Sequence, residues 1–128
     1  MDLVEKLQIK PNMQGMIMHQ PLARDAVLEA VSAQCVAAGA RAGELDFLVV
    51  FLRCKADVSD FAEELPELLE NMGEDPMLWL CYPKKSSAEY QDLSRDSGWE
   101  PVRHAGFKRV RQIAIGSVWS ALRFRQWV

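Results

Sequence analysis

No apolar run in this sequence approaches the roughly 18 residues that a membrane span requires, and the opening MDLVEKLQIK lacks the apolar core of a secretory leader. Those absences lead to an expectation of an aqueous, cytoplasmic protein that does not enter a membrane. Cysteine is scarce and scattered. Cys35, Cys54 and Cys81 are odd in number, each lies in or beside an apolar run, and none belongs to a CxxC or Cys/His spacing. They read as small buried hydrophobes in a reducing compartment rather than as disulfide or zinc ligands. Histidine is scarcer still: His19 and His104 stand alone, so no metal site is expected. There is no internal repeat, low-complexity tract or linker, and the 128 residues read as a single domain over 1–128.

Charge is modest, −3 at neutral pH, which speaks against a dedicated nucleic-acid binder. Its distribution is uneven. Residues 1–75 carry 14 acidic and 6 basic side chains, whereas residues 76–128 carry 4 acidic and 9 basic. The simple account is mutual attraction of two packed halves. The sharper one is a basic face near the C-terminal strands, open to an anion.

The apolar pattern reads as alternating strands and helices. A short amphipathic turn over residues 2–8 precedes a strand at Met16-Ile17-Met18. Pro21 then suits the first turn of a helix with Ala26, Val27, Ala30, Val31, Cys35 and Ala38 at helical spacing, stopped by Gly39. The unbroken run Asp46–Leu52 predicts a strand buried on both faces. A helix follows, with Val58, Phe61, Ala62, Leu65, Leu68, Leu69 and Met72 on one stripe, a kink or division at Pro66 and a stop at Gly73. Met77–Tyr82 is a second buried strand, 84–98 a polar connection and Trp99–Ala105 a short helix. Two strands, Phe107–Ile115 and Val118–Trp127, flank a Gly116-Ser117 turn as an antiparallel hairpin.

This closing order of Asp-led strand, helix, Leu-Trp-Leu strand, helix and antiparallel pair resembles the second half of class I methyltransferases. The resemblance implies a three-layer α/β fold, Rossmann-like, with a mixed sheet of about five strands in the order 1-2-3-5-4, the last antiparallel. More specifically, Tyr82-Pro83-Lys84-Lys85-Ser86-Ser87, Asp92-Leu93-Ser94-Arg95-Asp96-Ser97-Gly98-Trp99 and Trp119-Ser120-Ala121-Leu122-Arg123-Phe124 resemble an uncharacterised bacterial family of short proteins. That family brings a fold and no activity. Working methyltransferases place a glycine-rich turn after their first strand so that the backbone can approach the cofactor. Here the corresponding turn reads His19-Gln20-Pro21-Leu22-Ala23-Arg24, with no glycine. Segment 39–45 is too short to supply the strands that would follow. No cofactor is expected, and S-adenosylmethionine binding ranks last among the readings.

Ligands of open α/β sheets bind beyond the carboxyl ends of the strands. That rule gathers His19, Gln20, Arg53, Cys54, Tyr82, Lys84 and Lys85. Lys84, Lys85, Ser86 and Ser87 set two cations and two hydroxyls in succession, with Arg95 as a fork-shaped partner for phosphate or carboxylate; a merely solvated loop is the plain alternative. His19 is the sole candidate base, or else a cap on the next helix. Trp119 either walls the crevice or packs in the core. Trp127 is an edge residue or a contact between copies in a homo-oligomer. Lys108, Arg109 and Arg111 guard an edge strand against pairing. No catalytic residue is assigned. The expected function is a non-catalytic methyltransferase-like domain serving as an interaction or regulatory module. The alternative is a binding protein or enzyme for a small anionic metabolite, and the partner is otherwise open.

Overall fold

In the computed structural model, residues 7–10, 13–19, 45–116 and 118–126 are described. The strands are β1 (Gly15–Met18), β2 (Leu45–Phe51), β3 (Met72–Pro83), β4 (Phe107–Ala114) and β5 (Trp119–Gln126), and the helices are α1 (Lys55–Leu69) and α2 (Glu100–His104). They build one sheet in the order β1-β2-β3-β5-β4. β1, β2 and β3 run parallel, while β5 is antiparallel to both β3 and β4. The mixed sheet is therefore the one expected, with its final strand reversed and inserted. The helix expected between Pro21 and Ala38, Cys35, Gln20, most of the amphipathic turn, Ser117 and Trp127 lie outside the described residues.

The apolar runs of β2 and β3 are buried on both faces because both faces are covered. On one side Leu48, Val50, Leu78, Leu80, Leu122 and Phe124 meet Val58, Phe61 and Leu65 of α1 and Val102 of α2. On the other, Phe47, Val49, Phe51, Trp79, Cys81 and Ala121 pack with Leu7 and Ile9. Each large side chain so buried contributes about 1.5–3 kcal/mol. Trp79 is fully enclosed, and its indole N–H would be costly there without an acceptor. It donates to the Leu7 carbonyl at 3.0 Å, fastening the N-terminal segment to the sheet.

Two boundaries differ from expectation. α1 runs through Pro66 undivided and ends at Leu69, so neither Met72 nor Gly73 belongs to it. Pro66 withholds a backbone donor within the last turn. The chain then turns at once into β3, where Met72 pairs with Leu45. Two steps along β2, Leu45 to Phe47, face five along β3, Met72 to Met77. The extra residues make a bulge, a place where the missing N–H of Pro76 is tolerated in a strand.

Gly15 lies opposite Phe47 in the β1–β2 register, and the buried ring occupies its missing side chain. A Cβ there would stand 2.3 Å from Phe47 Cδ2. Since Phe47 is itself fully enclosed, the ring has nowhere to go. Gly15→Ala is expected to destabilise the protein by about 1–3 kcal/mol, the usual range for overpacking, as read by urea unfolding. An unchanged midpoint would show that the ring can retreat.

Candidate functional site

Reversal of β5 brings its first residues beside the carboxyl end of β3. Ser120 stands opposite Tyr82, and Ala114 of β4 opposite Ser120. Tyr82 and Ser120 are both nearly inaccessible, at 4% and 5% exposure. The phenol oxygen accepts a hydrogen bond from Gln112 Nε2 at 2.9 Å, and Ser120 stands opposite Tyr82 on the neighbouring strand. Burial pushes the Tyr82 phenol above its ordinary pKa, against the opposing effects of Ser120, Arg95, Gln112 and Arg109. It is a neutral hydroxyl at the floor of the site.

The wall is the 84–98 connection. It is fixed at several points rather than simply solvated. Ser87 Oγ donates to the Lys84 carbonyl at 2.8 Å, closing a turn. Asp92 Oδ1 accepts the Lys55 N–H at 2.9 Å, satisfying an orphan donor of α1 that Cys54, the N-cap, does not reach with its side chain. Leu93 is fully buried. Gly98 takes a left-handed φ of 107°, and a Cβ there would lie 2.7 Å from Leu93 Cδ1, so glycine is required on both counts. Trp99 Nε1 then donates to the Ser94 carbonyl at 2.7 Å, with its ring set between Tyr82 and Phe124.

Between floor and wall lies a cleft of about 300 Å³, lined by Tyr82, Lys84, Lys85, Ser94, Arg95, Asp96, Gln112 and Ser120. Arg95 donates from Nε and Nη2 to Asp96, the Nη2–Oδ2 distance being 3.0 Å. Arg109 Nη1 reaches both the Arg95 carbonyl and Asp96 Oδ1. One carboxylate thus serves two guanidiniums. The Arg95 hydrogen bond chiefly holds the Asp96 carboxyl below its ordinary pKa; desolvation opposes it, and the Arg95 charge with the Arg109 hydrogen bond and charge adds to it.

Of the residues singled out from sequence, Lys84, Lys85 and Arg95 meet in this cleft. Ser87 supports the turn behind it, and Ser86 is exposed and does not line it. His19 and Trp119 are elsewhere. Trp119 packs edge-on against Phe51 at 5.1 Å, with the Arg53 guanidinium 5.6 Å from its ring centroid; it belongs to the opposite face of the sheet. His19 lies at the end of β1, beside a second hollow of about 190 Å³ that Arg53, Asp57, Asp60 and Glu64 also line. Asp96, Gln112, Ser120, Ser94 and Arg109 escaped sequence reasoning as site residues. Only the cross-strand register could have found Gln112 and Ser120, since nothing in their local sequence marks them.

In this sheet topology the carboxyl ends of β1 and β2 are where a methyltransferase cofactor would approach the backbone. There His19, not glycine, takes the left-handed conformation at φ 57°, and its carbonyl accepts from Arg53 Nη1 at 3.5 Å. Among the described residues no group of three or more His, Cys, Asp or Glu side chains could hold a metal ion, and no helix is long and apolar enough to cross a membrane.

The fold is that of the methyltransferase-like, Rossmann-like mixed α/β class. Among solved structures the chain is similar to a SAM-dependent methyltransferase from Aquifex aeolicus, with TM-score 0.55 and 14% identity over 79% of this chain and 62% of that one. It is also similar to a protein from Sulfolobus solfataricus assigned as a type 11 methyltransferase, with TM-score 0.52, 12% identity and coverage of 80% and 66%. A third likeness is to LepI in complex with SAM, with TM-score 0.51, 15% identity and coverage of 98% of this chain and 39% of that one. The chain therefore spans less than two thirds of each of these proteins, and at such identities the likeness shows the fold alone. No protein-family profile matches the chain, and no curated protein matches it.

A carboxyl whose folded pKa lies below its unfolded value contributes stability above the unfolded value and loses it as pH falls through the folded one. The Arg95–Asp96–Arg109 cluster should therefore persist until pH drops below the ordinary aspartate value of about 3.9. An NMR titration of the Asp96 carboxyl should inflect below that value, and Arg95→Gln should move the inflection upward. An inflection at or above it in the parent protein would show that the cluster does not form.

Proposed function

We propose that this chain is a non-catalytic methyltransferase-like domain that binds a small anionic ligand in the cleft beyond β3, and that ligand binding makes it an interaction or regulatory module. The observation that carries this reading is convergence. Lys84 and Lys85 on one side of the loop and Arg95 on the other line one cleft with Tyr82, Gln112 and Ser120. Cations drawn from separate points on a braced loop, above neutral hydrogen-bonding groups, are suited to hold and orient an anion. The anchored loop favours ligand binding further, since its ordering cost is met before a ligand arrives. The non-catalytic part rests on the glycine-free His19–Arg24 turn and the strand-end geometry of His19. A cytoplasmic location accords with the reducing environment inferred for its cysteines.

The structural neighbours support a second reading, methyl transfer from S-adenosylmethionine, because one of them is a SAM-dependent methyltransferase and another is in complex with SAM. The two readings place the ligand at different strand ends, so one experiment separates them. In a thermal-unfolding panel, an anion held at about 100 times its dissociation constant adds roughly 2.7 kcal/mol of stability. Phosphates or carboxylates should raise the melting temperature of the parent protein, the Lys84→Ala/Lys85→Ala variant should lose that rise, and S-adenosylmethionine should produce none. Saturable stabilisation by S-adenosylmethionine would overturn the non-catalytic reading. Stabilisation by anions that survives the double substitution would remove the cleft as its cause.

A further inference from the structure

Within the cleft Arg95 is already paired with a carboxylate, which it shares with Arg109 behind it, and the lysines are not. Asp96 engages Arg95 at 3.0 Å and Arg109 at 3.4 Å. Neither the Lys84 nor the Lys85 ammonium has an acidic partner within 4.0 Å among the described residues. The lining side chains Lys84, Lys85 and Arg95 against Asp96 leave two net positive charges. The planar fork of Arg95, the group that matches a carboxylate in two parallel hydrogen bonds, is spent on Asp96 through both Nε and Nη2. What remains on offer is a pair of compact ammonium charges. Such point charges suit a tetrahedral, doubly charged oxyanion better than a planar, singly charged one.

Two further features restrict the rest of the ligand. Among the described residues the one aromatic side chain lining the cleft, Tyr82, is only 4% exposed, so it offers no open ring face on which a nucleobase could stack. The volume, about 300 Å³, is at the lower bound of small-molecule sites, which run from about 300 to 1,000 Å³. The groups left to contact the remainder of the ligand are Ser94 and the Gln112 amide, with the nearly buried Ser120 beneath them, and both are suited to hydroxyls.

We infer that the cleft is a phosphoryl site: it takes the phosphate dianion of a compact, non-aromatic phosphomonoester on Lys84 and Lys85, with the Arg95–Asp96 pair forming its rim. This rests on the anion-binding reading above and specifies its ligand class. Asp96 acts within it as a resident carboxylate that occupies the arginine fork and so disfavours carboxylate ligands.

Calorimetric titration of the full chain with methyl phosphate, methanesulfonate and malonate tests the assignment. Methanesulfonate keeps the tetrahedral shape with one charge, and malonate keeps two charges with planar groups. Methyl phosphate should bind at least tenfold more tightly than either at neutral pH. Lys84→Met and Lys85→Met should each weaken it about tenfold, while Lys84→Arg, which keeps the charge, should stay within a few-fold of the parent. Methanesulfonate or malonate binding as tightly as methyl phosphate would overturn the phosphoryl assignment while leaving the anion cleft standing. Failure of all three to bind at millimolar concentration would remove both.

Discussion

Everything at the carboxyl end of this sheet depends on β5 running antiparallel between β3 and β4. Were the last two strands simply added in order, Tyr82 would have no Ser120 beside it, and Gln112 would not reach the phenol. The insertion uses the apolar alternation of β5, which turns Leu122 and Phe124 toward the helices and Ala121 toward the other face. A slip of one residue would exchange those two sets. The register that buries the core is thus the same register that assembles the floor of the cleft.

A second dependence runs from the loop to the helix. The N-terminus of α1 leaves donors that its own N-cap residue does not satisfy, and Asp92 supplies an acceptor from 37 residues away. Leu93, Gly98 and Trp99 complete the attachment by burial, backbone conformation and a hydrogen bond. Braced in this way, the loop can hold Lys84, Lys85 and Arg95 around a common space. Their mutual repulsion is only partly relieved, because Asp96 is shared between two guanidiniums. A loop of this length without anchors would let the like charges move apart into solvent.

Much of the fold was legible in the residues. The runs at 46–52 and 77–82 announced buried parallel strands, and the spacing of Val58, Phe61 and Leu65 announced the helix between them. The antiparallel pairing of the last two strands was signalled by the Gly116-Ser117 turn, whereas the insertion of the final strand between its two predecessors came from the resemblance to class I methyltransferases. Helix length was misread at Met72 and Gly73, because hydrophobic periodicity cannot tell the last turn of a helix from the first residue of the next strand. Half of the candidate site was also visible, in the consecutive lysines and Arg95. Of the two roles open to Trp119, crevice wall or core packing, the structure takes packing; an aromatic side chain at a strand end can face either side of a sheet, and only the register with Pro83 and the contact with Phe51 decide which.

By itself the sequence determined an alternating α/β domain with a glycine-free first turn and a basic C-terminal half. Those properties are carried by residue types and their spacing, and local chemistry reads them directly. The tertiary structure alone decided that Arg109, on an edge strand, braces the loop through Asp96, that Gln112 donates to the Tyr82 hydroxyl with Ser120 on the facing strand, and that His19 and Trp119 stand apart from the lysines. These are relations between residues distant along the chain, and they exist only once strand order and register have been set by burial of the apolar faces.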